Sequence, residues 1–221
     1  MKNWWKILGV LLVLYSIIGG FLIPVPAVNR VSESIRNLYF HVPMWFAMIV
    51  LATISVIYSV IALSKSSEDA DIKSSQSASA AIPFALIGLI TGSIWAKFTW
   101  GNFWTNDPKL NGVAASLLIY LAYFVLRSSI ADEQKKARIS SIYNIFAYVM
   151  MIVFILIIPR FVDSLHPGNG GNMAFGKYDL DNNMRTVFYP ACIGWILMGV
   201  WFTEIRVRTE KLKRKYLYGN D

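Results

Sequence analysis

The sequence predicts an all-α integral membrane protein, with six transmembrane helices and one tryptophan-rich loop outside the membrane. Three observations lead there. The 221 residues are 56% hydrophobic and 15% charged, whereas water-soluble domains carry about 25% charged residues. Six apolar stretches, at about 5–23, 42–63, 80–96, 109–127, 141–159 and 186–203, approach the roughly 20 residues that cross roughly 30 Å of hydrocarbon. The formal net charge is +8, but the basic residues gather in alternate connections rather than in one patch. That distribution is a topology signal, not the footprint of a nucleic-acid binder.

Each element has its own signature. The first stretch follows Lys2 and Lys6 and precedes Ala27, as a signal peptide would. Its apolar run exceeds the usual 7–15 residues, so a retained anchor is expected. The second stretch opens on "RNLYFHVPMW". Between the second and third lies "SKSSEDADIKSSQSAS", which reads as a polar, Ser-rich linker. The third and fourth flank "WAKFTWGNFWTNDPKLN", residues 95–111. Within it, Asp107 suits a helix N-cap and Pro108 a first helical residue, so the pair starts the fourth span. "SSIADEQKKAR" is a short charged turn before the fifth. After the fifth comes "RFVDSLHPGNGGNMAFGKYDLDNN", whose Gly and Asn predict irregular backbone that takes form by packing. The tail, 204–221, is basic and helical in propensity, and reads as an anchor on anionic lipid headgroups, with a docking site for a partner as the alternative. Residues 1–221 thus form one six-span membrane domain.

Lys and Arg number 14 in the segments that share a side with the two termini and 7 on the other. The positive-inside rule places both termini in the cytoplasm and the tryptophan-rich loop outside. Cys192 is the only cysteine, so an internal disulfide is excluded, and no CxxC pair exists for zinc, an iron–sulfur cluster or covalent haem. The absence of GxxxxGK[ST] excludes a nucleotide-driven pump subunit.

The chain has two histidines, His41 and His166, both at outer ends of spans. His41 stands two residues before Pro43, in what should be the first turn of a helix. The positive end of the helix dipole disfavours its protonation and leaves a lone pair for a metal. His166 precedes Pro167 and is expected on an extended turn. Each also fits an ordinary interfacial histidine making local hydrogen bonds. As ligands, two neutral imidazoles suit a six-coordinate haem iron rather than zinc, which takes four protein ligands. Trp95, Phe98, Trp100, Phe103 and Trp104 crowd ten residues. A membrane-interface belt needs one or two rings per helix end, as Trp4, Trp5, Trp195 and Trp201 would supply. A flat-ligand platform accounts for the excess. If the stretch is helical, Trp100 and Trp104 share a face with Asp107. Outer Lys and Arg side chains would pair with haem propionates. A membrane cytochrome b exchanging electrons remains an alternative, although such proteins hold haem between helices deep in the bilayer. A transporter or structural subunit without cofactor would show more polar residues at mid-span.

These residues resemble the haem-handling family of cytochrome c biogenesis proteins, CcmC and its CcsA-type relatives. "WGNFWTNDPKL", Trp100 to Leu110, is similar to the family's W-G-x-x-W-x-W-D-x-[RK]-L, and "RNLYFHVP", Arg36 to Pro43, to its R-x-x-Y-x-H-V-P. Asn106 replaces the Trp before the Asp, and Lys109 stands where CcmC often has Arg. "DPK" is closer to the CcsA-like branch. The resemblance spans nearly the whole chain and implies a protein that holds haem rather than an enzyme that consumes it. On this basis non-covalent haem b would rest on Trp95, Trp100 and Trp104 near Asp107, with His41 and His166 as axial ligands. It would then pass to a CcmE-like periplasmic chaperone, with separate ABC-type transporter subunits supplying ATP energy at the bacterial inner membrane.

Overall fold

The computed structural model describes residues 3–26, 31–166 and 180–219. Helix α1 (Trp4–Leu22) is followed by a 3-10 turn (Ser32–Asn37) that runs into α2 (Leu38–Lys65). Then come α3 (Glu68–Trp100), α4 (Pro108–Ser129) and α5 (Glu133–Ile152). α5 continues through a π turn (Val153–Ile157) into the short α6 (Ile158–Phe161), and α7 (Asn182–Tyr218) closes the bundle. Six of the resulting helices are long and apolar enough to cross a membrane, and the described residues contain no strand. The chain is a multi-pass, all-α membrane protein. Both helical termini lie at one end of the bundle; His41 and His166 lie at the other.

The Ser-rich stretch between the second and third spans is not a linker. Only Ser66 and Ser67 turn the chain, with Ser66 in the left-handed region at φ 47°. Ser67 then caps α3 by accepting the Ala70 N–H at 3.2 Å, and Glu68, Asp69 and Asp71 occupy the dipole-favoured first turn. Small side chains let α3 lie close along α2, the most extensive helix pairing in the molecule. Ala78, Ala80 and Ala81 are buried, as are Ser74 and Ser77.

Several of the polar groups buried there pair with one another, although Asn144 Oδ1 has no hydrogen-bond partner. Asn144 on α5 donates to Ser55 Oγ at 2.7 Å and Ser59 Oγ at 2.9 Å, and Ser59 meets Ser74 Oγ at 2.7 Å. Arg127 on α4 grips Asp71 on α3 through two bonds of 2.8 and 2.6 Å. Interhelical hydrogen bonds of this kind hold α4 and α5 against α2 and α3 at the terminal end. The basic tail is the continuation of α7, and part of its charge is matched within the chain. Arg214 pairs with Glu68 at 2.8 Å and Glu210 at 3.1 Å, and Lys211 pairs with Asp69.

At the histidine end the two halves part. α2 packs on α5, but has no comparable packing with the π turn or α6. The π turn falls just before Pro159, which has no N–H and whose ring would clash with the carbonyl four residues back. The Ile158 N–H instead reaches the Val153 carbonyl, five residues back. α4 meets this turn at Gly112, where a Cβ would sit 2.4 Å from the Phe154 carbonyl oxygen. The space left between α2–α3 and α4–π turn is a cavity.

Candidate functional site

The cavity has a volume of about 430 Å³, and both His41 and His166 line it. Trp45, Trp95, Trp100 and Lys109 share the lining, with apolar side chains such as Phe46, Ile49 and Val113 below them.

His41 is the fourth residue of α2, in its first turn, and the 3-10 turn extends the helix backwards. Arg36 fixes that entry by donating to the Gly20 and Ile23 carbonyls at 2.9 and 2.7 Å. Asn37 ties it to α3 through the Thr91 carbonyl at 3.0 Å. The ring of His41 then lies against Gly92, where a Cβ would be 2.5 Å from His41 Cε1. Its Nδ1 is 2.9 Å from the Gly88 carbonyl, and its Nε2 is 3.3 Å from Trp45 Nε1. A carbonyl only accepts and an indole N–H only donates. His41 is therefore the neutral tautomer with hydrogen on Nδ1 and its lone pair on Nε2.

His166 follows α6 on non-helical backbone. Its Nδ1 lies 2.9 Å from Asp107 Oδ1, and its ring meets Trp100 edge-to-face at 4.9 Å between centroids. In the neutral ring Nδ1–H donates to the carboxylate, so Nε2 again carries the lone pair. A carboxylate behind a ligating imidazole is the arrangement that orients metal-binding histidines.

Asp107 is 2% exposed and is the N-cap of α4, as its place before Pro108 predicts. Its Oδ1 accepts the Lys109 and Leu110 N–H groups at 2.9 and 3.3 Å. Its Oδ2 accepts from Ser164 Oγ at 2.9 Å and the Leu165 N–H at 2.7 Å. Burial alone would raise the carboxyl; the bonds from His166, Leu165 and Ser164 outweigh it and hold Asp107 well below the usual carboxylate range. Asp107 is not itself a lining residue; it touches the cavity through His166.

The aromatic loop divides. α3 ends at Trp100, and Gly101 takes φ +86°, so the helical spacing of Trp100, Trp104 and Asp107 does not hold. Trp95 and Trp100 line the cavity. Trp95 also donates to Ser34 Oγ at 3.2 Å and stands edge-on to His41. Trp104 lies outside, 44% exposed, with its N–H on Asn111 Oδ1 at 3.3 Å. Phe98 and Phe103 are more exposed still. Trp195, expected in an interfacial belt, instead packs on Phe84 in the core. The Gly- and Asn-rich stretch 167–179 lies outside the described residues.

Three residues escaped the sequence reading: Trp45, Gly88 and Gly92. Trp45 is one helical turn after His41. Gly88 and Gly92 form a GxxxG pair in an apolar helix, the spacing that lets helices approach closely.

The donor set fits haem. Among the described residues no group of three or more His, Cys, Asp or Glu could hold a bare metal ion. Two imidazole lone pairs beside one apolar, aromatic-walled cavity would suit a metal whose other ligands come from a flat macrocycle.

The model of the family "CcmC: Heme exporter protein C" matches residues 1–218. Heme exporter protein C of Paracoccus denitrificans (strain Pd 1222) is 24% identical over 200 residues, 90% of this chain and 82% of that protein. Its namesake in Escherichia coli (strain K12) is 26% identical over 190 residues, 83% of this chain and 73% of that protein. The cytochrome c biogenesis protein CcsA of Prochlorococcus marinus (strain NATL1A) is 31% identical over 86 residues, only 39% of this chain and 27% of that protein. A match over nearly the whole length, on a six-span bundle with both histidines at one cavity, shows that the chain belongs to the CcmC, or heme exporter protein C, family.

Proposed function

We propose that this protein holds haem b non-covalently for cytochrome c maturation, with His41 and His166 as the two axial ligands. The observation that carries the reading is the pair of imidazoles lining one cavity, each with Nδ1 committed to an acceptor and its lone pair on Nε2. Haem supplies the iron and a flat apolar body; the chain supplies everything that positions them. Trp95 and Trp100 offer aromatic wall, while Trp104 lies outside the cavity. Asp107 fixes the His166 ring and strengthens it as a donor. Lys109, among the lining residues, meets a propionate. Cys192 is buried in α7 and is not among the lining residues, in keeping with a cargo that is never covalently attached.

The site faces the periplasm from the bacterial cytoplasmic membrane, with both termini in the cytoplasm, on the strength of the 14 to 7 division of basic residues. Haem held there passes to a CcmE-like chaperone, for which the exposed rings of Phe98, Phe103 and Trp104 provide a meeting surface. ABC-type subunits of the same system supply the energy that this chain has no P-loop to harvest. Occupation of both axial positions keeps oxygen from the iron during the wait. A b-type electron-transfer subunit is less well supported, because His166 lies on irregular backbone beyond the helices rather than on a facing helix.

Purified protein loaded with haem should show a six-coordinate, low-spin spectrum, and acid–acetone should extract all of its colour. Colour that stays on the chain, or a parent spectrum unchanged in both His41→Ala and His166→Ala, would overturn the reading.

A further inference from the structure

His41 Nε2, the nitrogen assigned to iron, is not idle. The indole N–H of Trp45 donates to it at 3.3 Å, with the two rings edge-to-face at 80° and 6.0 Å between centroids. Donor and acceptor are four residues apart on one helix, so the contact does not depend on how any loop is arranged. The indole is seated over Gly88, where a Cβ would lie 2.8 Å from Trp45 Cε2. Gly88 thus does two things: its carbonyl receives His41 Nδ1, and its bare Cα admits Trp45. Trp45 also borders a small apolar space of about 20 Å³, beside Ala85 and Val113.

We propose that Trp45 is a placeholder for the iron at His41: its indole N–H occupies Nε2 until haem arrives, and competes for that nitrogen when haem leaves. The inference rests on His41 being an axial ligand. In an apolar cavity an imidazole lone pair without a partner carries a desolvation cost, and the indole removes it. The same bond must break before iron can bind and re-forms as iron departs. Net affinity is lower than two histidines alone would give, and release is faster. A protein that hands its cargo on benefits from both effects. Trp45 is a positioning residue here, since it acts on the iron through His41.

The test compares full-length parent, Trp45→Phe and His41→Ala in one detergent. Phe keeps an aromatic ring over Gly88 but removes the N–H. Haemin titration and transfer to excess apomyoglobin should show Trp45→Phe binding about fivefold tighter and releasing correspondingly more slowly, the size expected from losing one competing hydrogen bond. A wall residue that merely packed against the porphyrin would change in the opposite direction. In the haem-free state, the Trp45 indole N–H resonance of ¹⁵N-tryptophan-labelled protein should move upfield in His41→Ala. Equal or weaker haem binding by Trp45→Phe, or an indole resonance indifferent to His41→Ala, would overturn the proposal. If His41→Ala binds haemin as tightly as the parent, the axial-ligand reading itself fails, and that result is independent of Trp45→Phe.

Discussion

At Asp107 five donors converge on one buried carboxylate: two N–H groups of its own helix, then His166 Nδ1, Ser164 Oγ and the Leu165 N–H. The side chain therefore closes the first turn of α4 and fastens the histidine segment to it. Asp107→Asn keeps the shape, but turns an amide N–H₂ toward a donor and removes the charge behind His166. We expect a loss of ~1–3 kcal/mol in thermal stability near neutral pH, and haem retention weakened by about tenfold or more. Because the folded carboxyl lies below its ordinary value of about 4, its stabilising contribution is complete above that value and is lost only as pH falls further. The stability gap between parent and variant should narrow only below about pH 4; narrowing at higher pH would point to another group. The two loop tryptophans should separate as well. Trp100→Ala removes a ring that contacts His166 and lines the cavity, worth ~1 kcal/mol. Trp104→Ala, outside the cavity, should leave the haem-to-protein ratio close to that of the parent.

At the scale of helices, the GxxxG pair on α3 decides where the α2 side chains sit. A methyl group at Gly92 would come within 2.5 Å of His41 Cε1, and the ring is tied to the Gly88 carbonyl on the same helix. Gly92→Ala should displace the imidazole and abolish six-coordinate binding, while membrane insertion and helix content stay unchanged. Haem titration alongside circular dichroism checks both halves of that statement. The helices also show what a sequence can and cannot reveal. The spans are legible because hydrocarbon thickness sets a length, and the Asp-Pro start of α4 because capping is local. The opening of α3 misleads because Ser and Asp read as solvent-facing, yet Asp71 meets Arg127 and Ser74 meets Ser59 across the bundle. The fate of Trp104 depends on one glycine, Gly101, ending the helix before it. The partnership of Asp107 with His166 crosses 59 residues, so no local pattern carries it.

The described residues form a bundle closed by polar contacts at the end where α1 starts and α7 finishes, and opened into a cavity at the other. The two ends should face different compartments. In a Cys192→Ala background, single cysteines at Asn102 and Asp163 should react with a membrane-impermeant maleimide from outside intact cells, and one at Ser66 only after permeabilisation. Labelling of Ser66 first would reverse the orientation. That architecture has a purpose only if the cavity brings both histidines to one iron. Electron paramagnetic resonance of the ferric, haem-loaded protein tests this directly. The parent should give a low-spin signal, and His41→Ala and His166→Ala should each convert it to high spin, with added imidazole restoring low spin in either variant. A low-spin signal that survives unchanged in one of the two variants would remove that histidine from the iron and contradict the account.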